Sequence, residues 1–142
     1  MDLTLPVSNL EMRVQRIELR RQRIAPKDRR LDWHVQVHIG KAADHVMLIG
    51  RLFGAVEEGT GQILATAYVA PDAEKTSWAD WATVKPWAET SGSETLYVFC
   101  RRALESQAAQ MDYSFDFSPT APPVEAHLDE HGSNQADTEA SK

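Results

Sequence analysis

The sequence predicts an α+β domain in which an antiparallel sheet carries one long C-terminal helix on one face. Two observations carry this expectation. Residues 31–70 alternate apolar and polar side chains in runs separated by turn-forming residues, the mark of half-buried strands. Residues 93–111 instead repeat apolar side chains at helical spacing. A chain of 142 residues is long enough for one core without disulfides or a structural metal.

The first element, LEMRVQRIELRRQRIA at 10–25, supports two readings. Ser8, three residues before Glu11, resembles a capping box, and Leu10, Val14, Ile17, Arg21 and Ile24 follow helical spacing. The Glu, Arg and Gln content also favours helix. Read as a strand, Met12 and Val14 fall on one face and Ile17 and Leu19 on the other, so a bulge is needed to bring both pairs together.

The next three elements form a meander. In LDWHVQVHIG, Trp33, Val35, Val37 and Ile39 alternate with His34, Gln36 and His38. A loop over Gly40 to Asp44 leads into HVMLIGRLFGAV, whose middle is apolar on both faces, as in a central strand. Glu57 to Gly61 makes the next turn and QILATAYVA the next strand.

Residues 71–92 read as an irregular to helical aromatic crossover, opened by Pro71, interrupted by Pro86 and Gly92, and holding Trp78, Trp81 and Trp87. Ser93 is the expected N-cap of the long helix, on which Leu96, Phe99, Cys100, Ala103, Leu104, Gln107 and Met111 recur at helical spacing. DYSFDF then alternates Tyr113, Phe115 and Phe117 with polar neighbours, like a short terminal strand or an extended edge. Residues 119–142 hold five acids, one lysine and no aromatic residue, so a disordered acidic tail is expected there, with residues 1–8 as an N-terminal arm and 9–118 as the folded domain.

Charge and motif content exclude several functions. The net charge is −6, which disfavours general nucleic-acid binding. No apolar run is long enough to span a bilayer. MDLTLPVSNLEM lacks the basic-then-apolar pattern of a secretory leader, and Cys100 is the single cysteine, so a cytoplasmic location is expected. His34 and His38 lie about 13 Å apart along a strand, too far to share an ion, and His45 should fall opposite Ile39, so no metal or other cofactor is expected. Phosphate loops and serine-nucleophile elbows are missing, and a small buried thiol is the usual state of a helical cysteine such as Cys100. No catalytic residue is assigned.

Two features point to partners. Arg13 to Arg30 carries a local net charge of +6, and Arg20, Arg21 and Arg23 are the candidate contacts for an acidic protein segment or, less in keeping with the whole charge, nucleic acid. The three tryptophans within ten residues either seal the sheet as a lid or line an open groove for apolar side chains of a partner.

Two stretches resemble the SecB-type chaperones, including the SecB-like chaperones of toxin–antitoxin systems. MRVQRIELRRQRIAP is similar to that family's first strand, with its hydrophobic-Gln-Arg-Ile core and Ala-Pro end. LYVFCRRAL is similar to the start of its main helix. The resemblance extends over about residues 10–118 in layout. It implies that 10–25 is a strand and that the sheet is four-stranded and antiparallel. It further implies assembly as a homotetramer, a dimer of dimers, and ATP-independent holding of unfolded polypeptides. Clients would lie in apolar grooves lined by Trp78, Trp81, Trp87, Tyr97 and Phe99. The implied partners are those clients and either the translocase motor ATPase, met through acidic residues on the sheet's outer face, or an antitoxin. This chain departs from the family's pattern in having Val98 where Pro is common, no Gly-containing turn after the helix, and a strongly basic first strand.

Overall fold

The computed structural model describes residues 7–39, 46–71 and 81–128. Its elements are β1 (Val7–Arg21), β2 (Arg30–Ile39), β3 (Val46–Val56), β4 (Gly59–Pro71), α1 (Trp81–Trp87), a π-helical turn (Ala88–Gly92), α2 (Ser93–Gln110) and a two-residue β5 (His127–Leu128). The sheet runs β1-β4-β3-β2-β5. The expected α+β architecture forms, with the four long strands antiparallel. The meander is confined to β2–β4, because β1 pairs with β4 instead of its sequence neighbour β2.

β1 is a strand against its helical propensity. A register irregularity between Val14 and Arg16 sets Met12 opposite Ala67, Val14 opposite Ala65, Ile17 opposite Ile63 and Leu19 opposite Gly61. One bulge therefore gathers all four apolar side chains on the face that α2 covers. Pairing along the whole length of β4 satisfies the backbone there, and tertiary context overrides propensity. The β2–β3 register places Val46, not His45, opposite Ile39. His45 and the expected 40–44 loop lie outside the described residues. The β3–β4 connection is shorter than expected: Val56 pairs with Gly59 across Glu57 and Glu58.

The core lies between the sheet and α2. Val35, Val37, Leu48, Leu52 and Ile63 face Leu96, Cys100 and Leu104, all buried. Each such side chain contributes about 1.5–3 kcal/mol of transfer free energy. Gly50 permits the close fit, since a Cβ there would stand 2.6 Å from the Trp33 ring and 2.7 Å from Leu96. Phe115 and Phe117 stack with centroids 4.7 Å apart and roof the sheet over Gly54 and Gly61.

Two expectations for the C-terminal half need correction, the cap at Ser93 and the tail directly after residue 118. The crossover, expected as irregular to helical, is helical from Trp81 and runs through Pro86 and the π-helical turn straight into α2, so Ser93 does not start a separate helix. Ser93 sits at φ −59°, ψ −48°, inside the helix, and its hydroxyl accepts the buried Trp33 indole N–H at 2.9 Å. It ties helix to sheet instead of capping. Residues 113–118 form no strand, and Tyr113, Phe115 and Phe117 are buried in alternation with exposed neighbours. Order also runs past 118: the segment to Leu128 crosses the helix start, buries Ala126 and adds β5 in parallel to β2. Ala121, Val124 and Ala126 and a few backbone bonds hold it, so two large aliphatics, Val124 and Leu128, suffice where composition alone predicts none of this packing. Residues 129–142 lie outside the described set.

Candidate functional site

α2 presents two unlike sides. Leu96, Tyr97, Cys100, Leu104 and Ala108 turn to the sheet. Thr95 and Arg102 are exposed, and Val98, Phe99 and Ala103 pack against the rim of the core. Together with Met12 of β1 and Glu94 they line a shallow, mostly apolar groove of about 700 Å³. Val98, Phe99 and Ala103 are half-buried in the subunit. Val14, one register step along β1 from Met12, is 43% exposed and extends the apolar strip. Glu94 and Arg102 give the groove a charged margin at opposite ends of its helical wall.

The aromatic residues expected to line a groove divide by position. Phe99 does line it. Trp87 and Tyr97 are buried in the core of one subunit. Tyr97 meets Trp33 edge-on at 5.4 Å and donates its hydroxyl to the Ser118 carbonyl at 2.6 Å; burial pushes its pKa up. Trp81 is half-buried and packs against the core. Trp78 lies outside the described residues. Met12, Val98 and Ala103 were missed as groove residues, although Met12 was visible as part of an apolar pair on a candidate strand. The helical wheel was the available signal for Tyr97, which shares its side with Cys100 and Leu104.

The basic stretch also divides. Arg13 pairs with Glu11, Arg16 with Glu18, and Arg30 with Asp32 while lying over the Phe53 ring. Arg21 donates to the Met111 carbonyl at 2.7 Å, so it serves the C-terminus of α2. Arg20 and Arg23 are exposed. Cys100 is buried, and burial pushes its thiol up to about 12, far from a nucleophile's range. Among the described residues no cluster of three metal-ligating side chains occurs. No helix of the described residues is long and apolar enough to cross a membrane.

A second cleft of about 440 Å³ lies on the outer face of the sheet, where His34, Gln36, Ile49, Arg51, Leu64 and His127 meet. Among the described residues that face carries Arg13, Arg16, Arg20, Arg30 and Arg51 against Glu11, Glu18 and Asp32, so cations outnumber carboxylates there.

The start of the helical segment is tied to residues 118–128 by carboxylates. Glu94 accepts the Ala121 N–H at 2.8 Å. Glu89 accepts the Ala126 N–H at 2.8 Å and the Lys85 ammonium at 2.7 Å. The Lys85 hydrogen bond, chiefly, holds the Glu89 pKa below the ordinary carboxylate range, and the same bond raises that of Lys85.

No protein-family model matches the sequence, and no curated protein matches it. Among solved structures the fold is similar to the Mycobacterium tuberculosis Rv1957 SecB-like chaperone, determined in complex with a ChAD peptide from the Rv1956 HigA1 antitoxin. The TM-score is 0.61 at 13% sequence identity, over 81% of each chain. The fold of this chain is therefore SecB-like.

Proposed function

We propose that this protein is a SecB-like holding chaperone that keeps non-native polypeptide segments in apolar grooves without nucleotide. The observation that carries the reading is the open groove between α2 and β1, apolar at Met12, Val98, Phe99 and Ala103 and continued by exposed Val14. A wide, shallow and adaptable surface of this kind suits many sequences better than a shaped pocket does. Of the expected groove residues, half-buried Phe99 lines this groove, and Trp81 and Trp78 are proposed as further client contacts. The proposal includes assembly as a dimer of dimers and a cytoplasmic site of action.

The choice between a dedicated antitoxin partner and export favours the antitoxin. The similar structure binds an antitoxin peptide. An export motor that docks on acidic residues would meet cations on the outer sheet face of this chain.

The test is suppression of aggregation of a chemically denatured client in the absence of ATP, comparing the wild-type chain with Phe99→Asp. We expect wild type to suppress, and the variant to lose at least about fivefold in apparent affinity, as removal of a central aromatic anchor does. Phe99 also packs against the core, so the comparison uses a variant whose cooperative melting shows that it is folded. Suppression that is absent in wild type, or unaltered in a folded variant, contradicts the reading.

A further inference from the structure

β2 would be a free sheet edge but for a segment of the same chain. Beyond Ser118 the backbone passes the helix start, where Glu94 takes the Ala121 N–H and Glu89 takes the Ala126 N–H, each at 2.8 Å. It then aligns beside β2, with His127 opposite Gln36 and Leu128 opposite Val37. Ala126 is 2% exposed, and Ala121 and Val124 pack against the core from the same segment. Pro122 and Pro123 preset an extended backbone with little entropy left to lose.

Every feature of this contact is that of a bound extended peptide. The receptor supplies carboxylate acceptors for backbone donors, shallow seats for small apolar side chains, and an unpaired strand edge. The attachment is also slight: β5 has two residues, no large side chain of the segment is fully buried, and the hydrogen bonds sit near the surface. Such a segment opens far more readily than the sheet it covers.

We propose that the lane running from Glu94 and Glu89 to the edge of β2 is a second polypeptide-binding site, occupied here in cis by residues 121–128. A segment from another chain takes it when it is extended, presents backbone N–H groups to the two glutamates and carries small apolar residues in the places of Ala121, Val124 and Ala126. This deepens the holding reading and rests on it for its biological use, because the lane would lengthen the path available to a client. The tethered occupant has an effective concentration on the order of millimolar, so it excludes weak binders and yields only to segments that compete above that threshold.

The experiment titrates a fluorescently labelled synthetic peptide copying residues 119–128 into two full-length chains, with anisotropy as the readout. One is wild type. The other is Ala121→Pro with Ala126→Pro, which removes both backbone donors of the resident segment and leaves Glu89 and Glu94 in place. The peptide should bind the double variant at least about tenfold more tightly than wild type, and adding Glu94→Ala to that variant should weaken it again. Equal binding to both chains, or none to the folded double variant, overturns the proposal. Should the double variant not fold, full-length Val124→Asp expels the segment by burying a charge, and the same two outcomes decide. Failure of client holding alone leaves this titration unaffected, so the two ideas fail separately.

Discussion

Asp112 closes α2 in a left-handed conformation, φ 61°, that a side chain usually avoids. Its N–H reaches the Ala109 carbonyl at 3.2 Å and the Tyr113 N–H reaches Ala108 at 3.1 Å, which together make a Schellman motif. Asp112 thus stands where a glycine would serve, and the helix stops cleanly without one. Asp112→Gly should stabilise the fold by up to about 1 kcal/mol, read as an upward shift in denaturant midpoint. Cys100 provides a second check at the same level of detail. With its thiol pushed up to about 12, alkylation at pH 8 should run roughly a thousandfold slower in the folded chain than in the unfolded one. Labelling at the unfolded rate would show that α2 does not pack on the sheet as described, whereas normal client holding by Cys100→Ala would separate the thiol from function.

Between residues, legibility followed how local each signal was. β2, β3 and β4 could be read because alternation within each strand already names its buried face. β1 could not, since its face is defined only after the bulge at Val14 to Arg16 matches it to β4, and its Glu, Arg and Gln content speaks for helix. The continuity of the helix was hidden by Pro86 and Gly92, which read as interruptions, whereas the π-helical turn carries the helix through. The groove was half legible: Phe99 was chosen for its ring, but Trp87 and Tyr97 show that aromatic content does not tell a buried ring from an open one. The segment after Ser118 was illegible because its fastening is backbone to Glu89 and Glu94. That fastening predicts a pH response. Glu89 has a lowered pKa in the fold, so its contribution is complete above the ordinary carboxylate range and disappears as pH falls through the lowered value. Protection of the Ala126 amide, measured by hydrogen exchange and corrected for intrinsic rate, should therefore drop in acid while the β3 amides hold. Glu89→Gln should remove most of that dependence; unchanged acid protection in wild type would show that Glu89 does not anchor the segment.

The subunit as a whole leaves two surfaces that water does not favour. One is the strip from Val14 and Met12 across Phe99 and Val98; the other is the outer sheet face, where Met47, Ile49 and Leu64 are half-buried and Tyr68 is 45% exposed. A net charge of −6 helps keep such a surface in solution. A single groove of about 700 Å³ seats only a few side chains, so holding a long unfolded segment calls for several grooves in one particle. The proposed assembly has a thermodynamic signature: association of folded chains raises the melting temperature as protein concentration rises. Light scattering is expected to give four times the 15.9 kDa chain mass, with a melting temperature that climbs over a hundredfold concentration range. A monomer with a concentration-independent melting temperature would contradict the holding reading, because it leaves one short groove per particle. The variant Phe99→Asp then separates the uses of the two surfaces. If mass is retained while client holding falls, subunits join elsewhere and the α2–β1 groove is left for clients; if mass falls to one chain, that groove is the seam between subunits and clients must lie along another path.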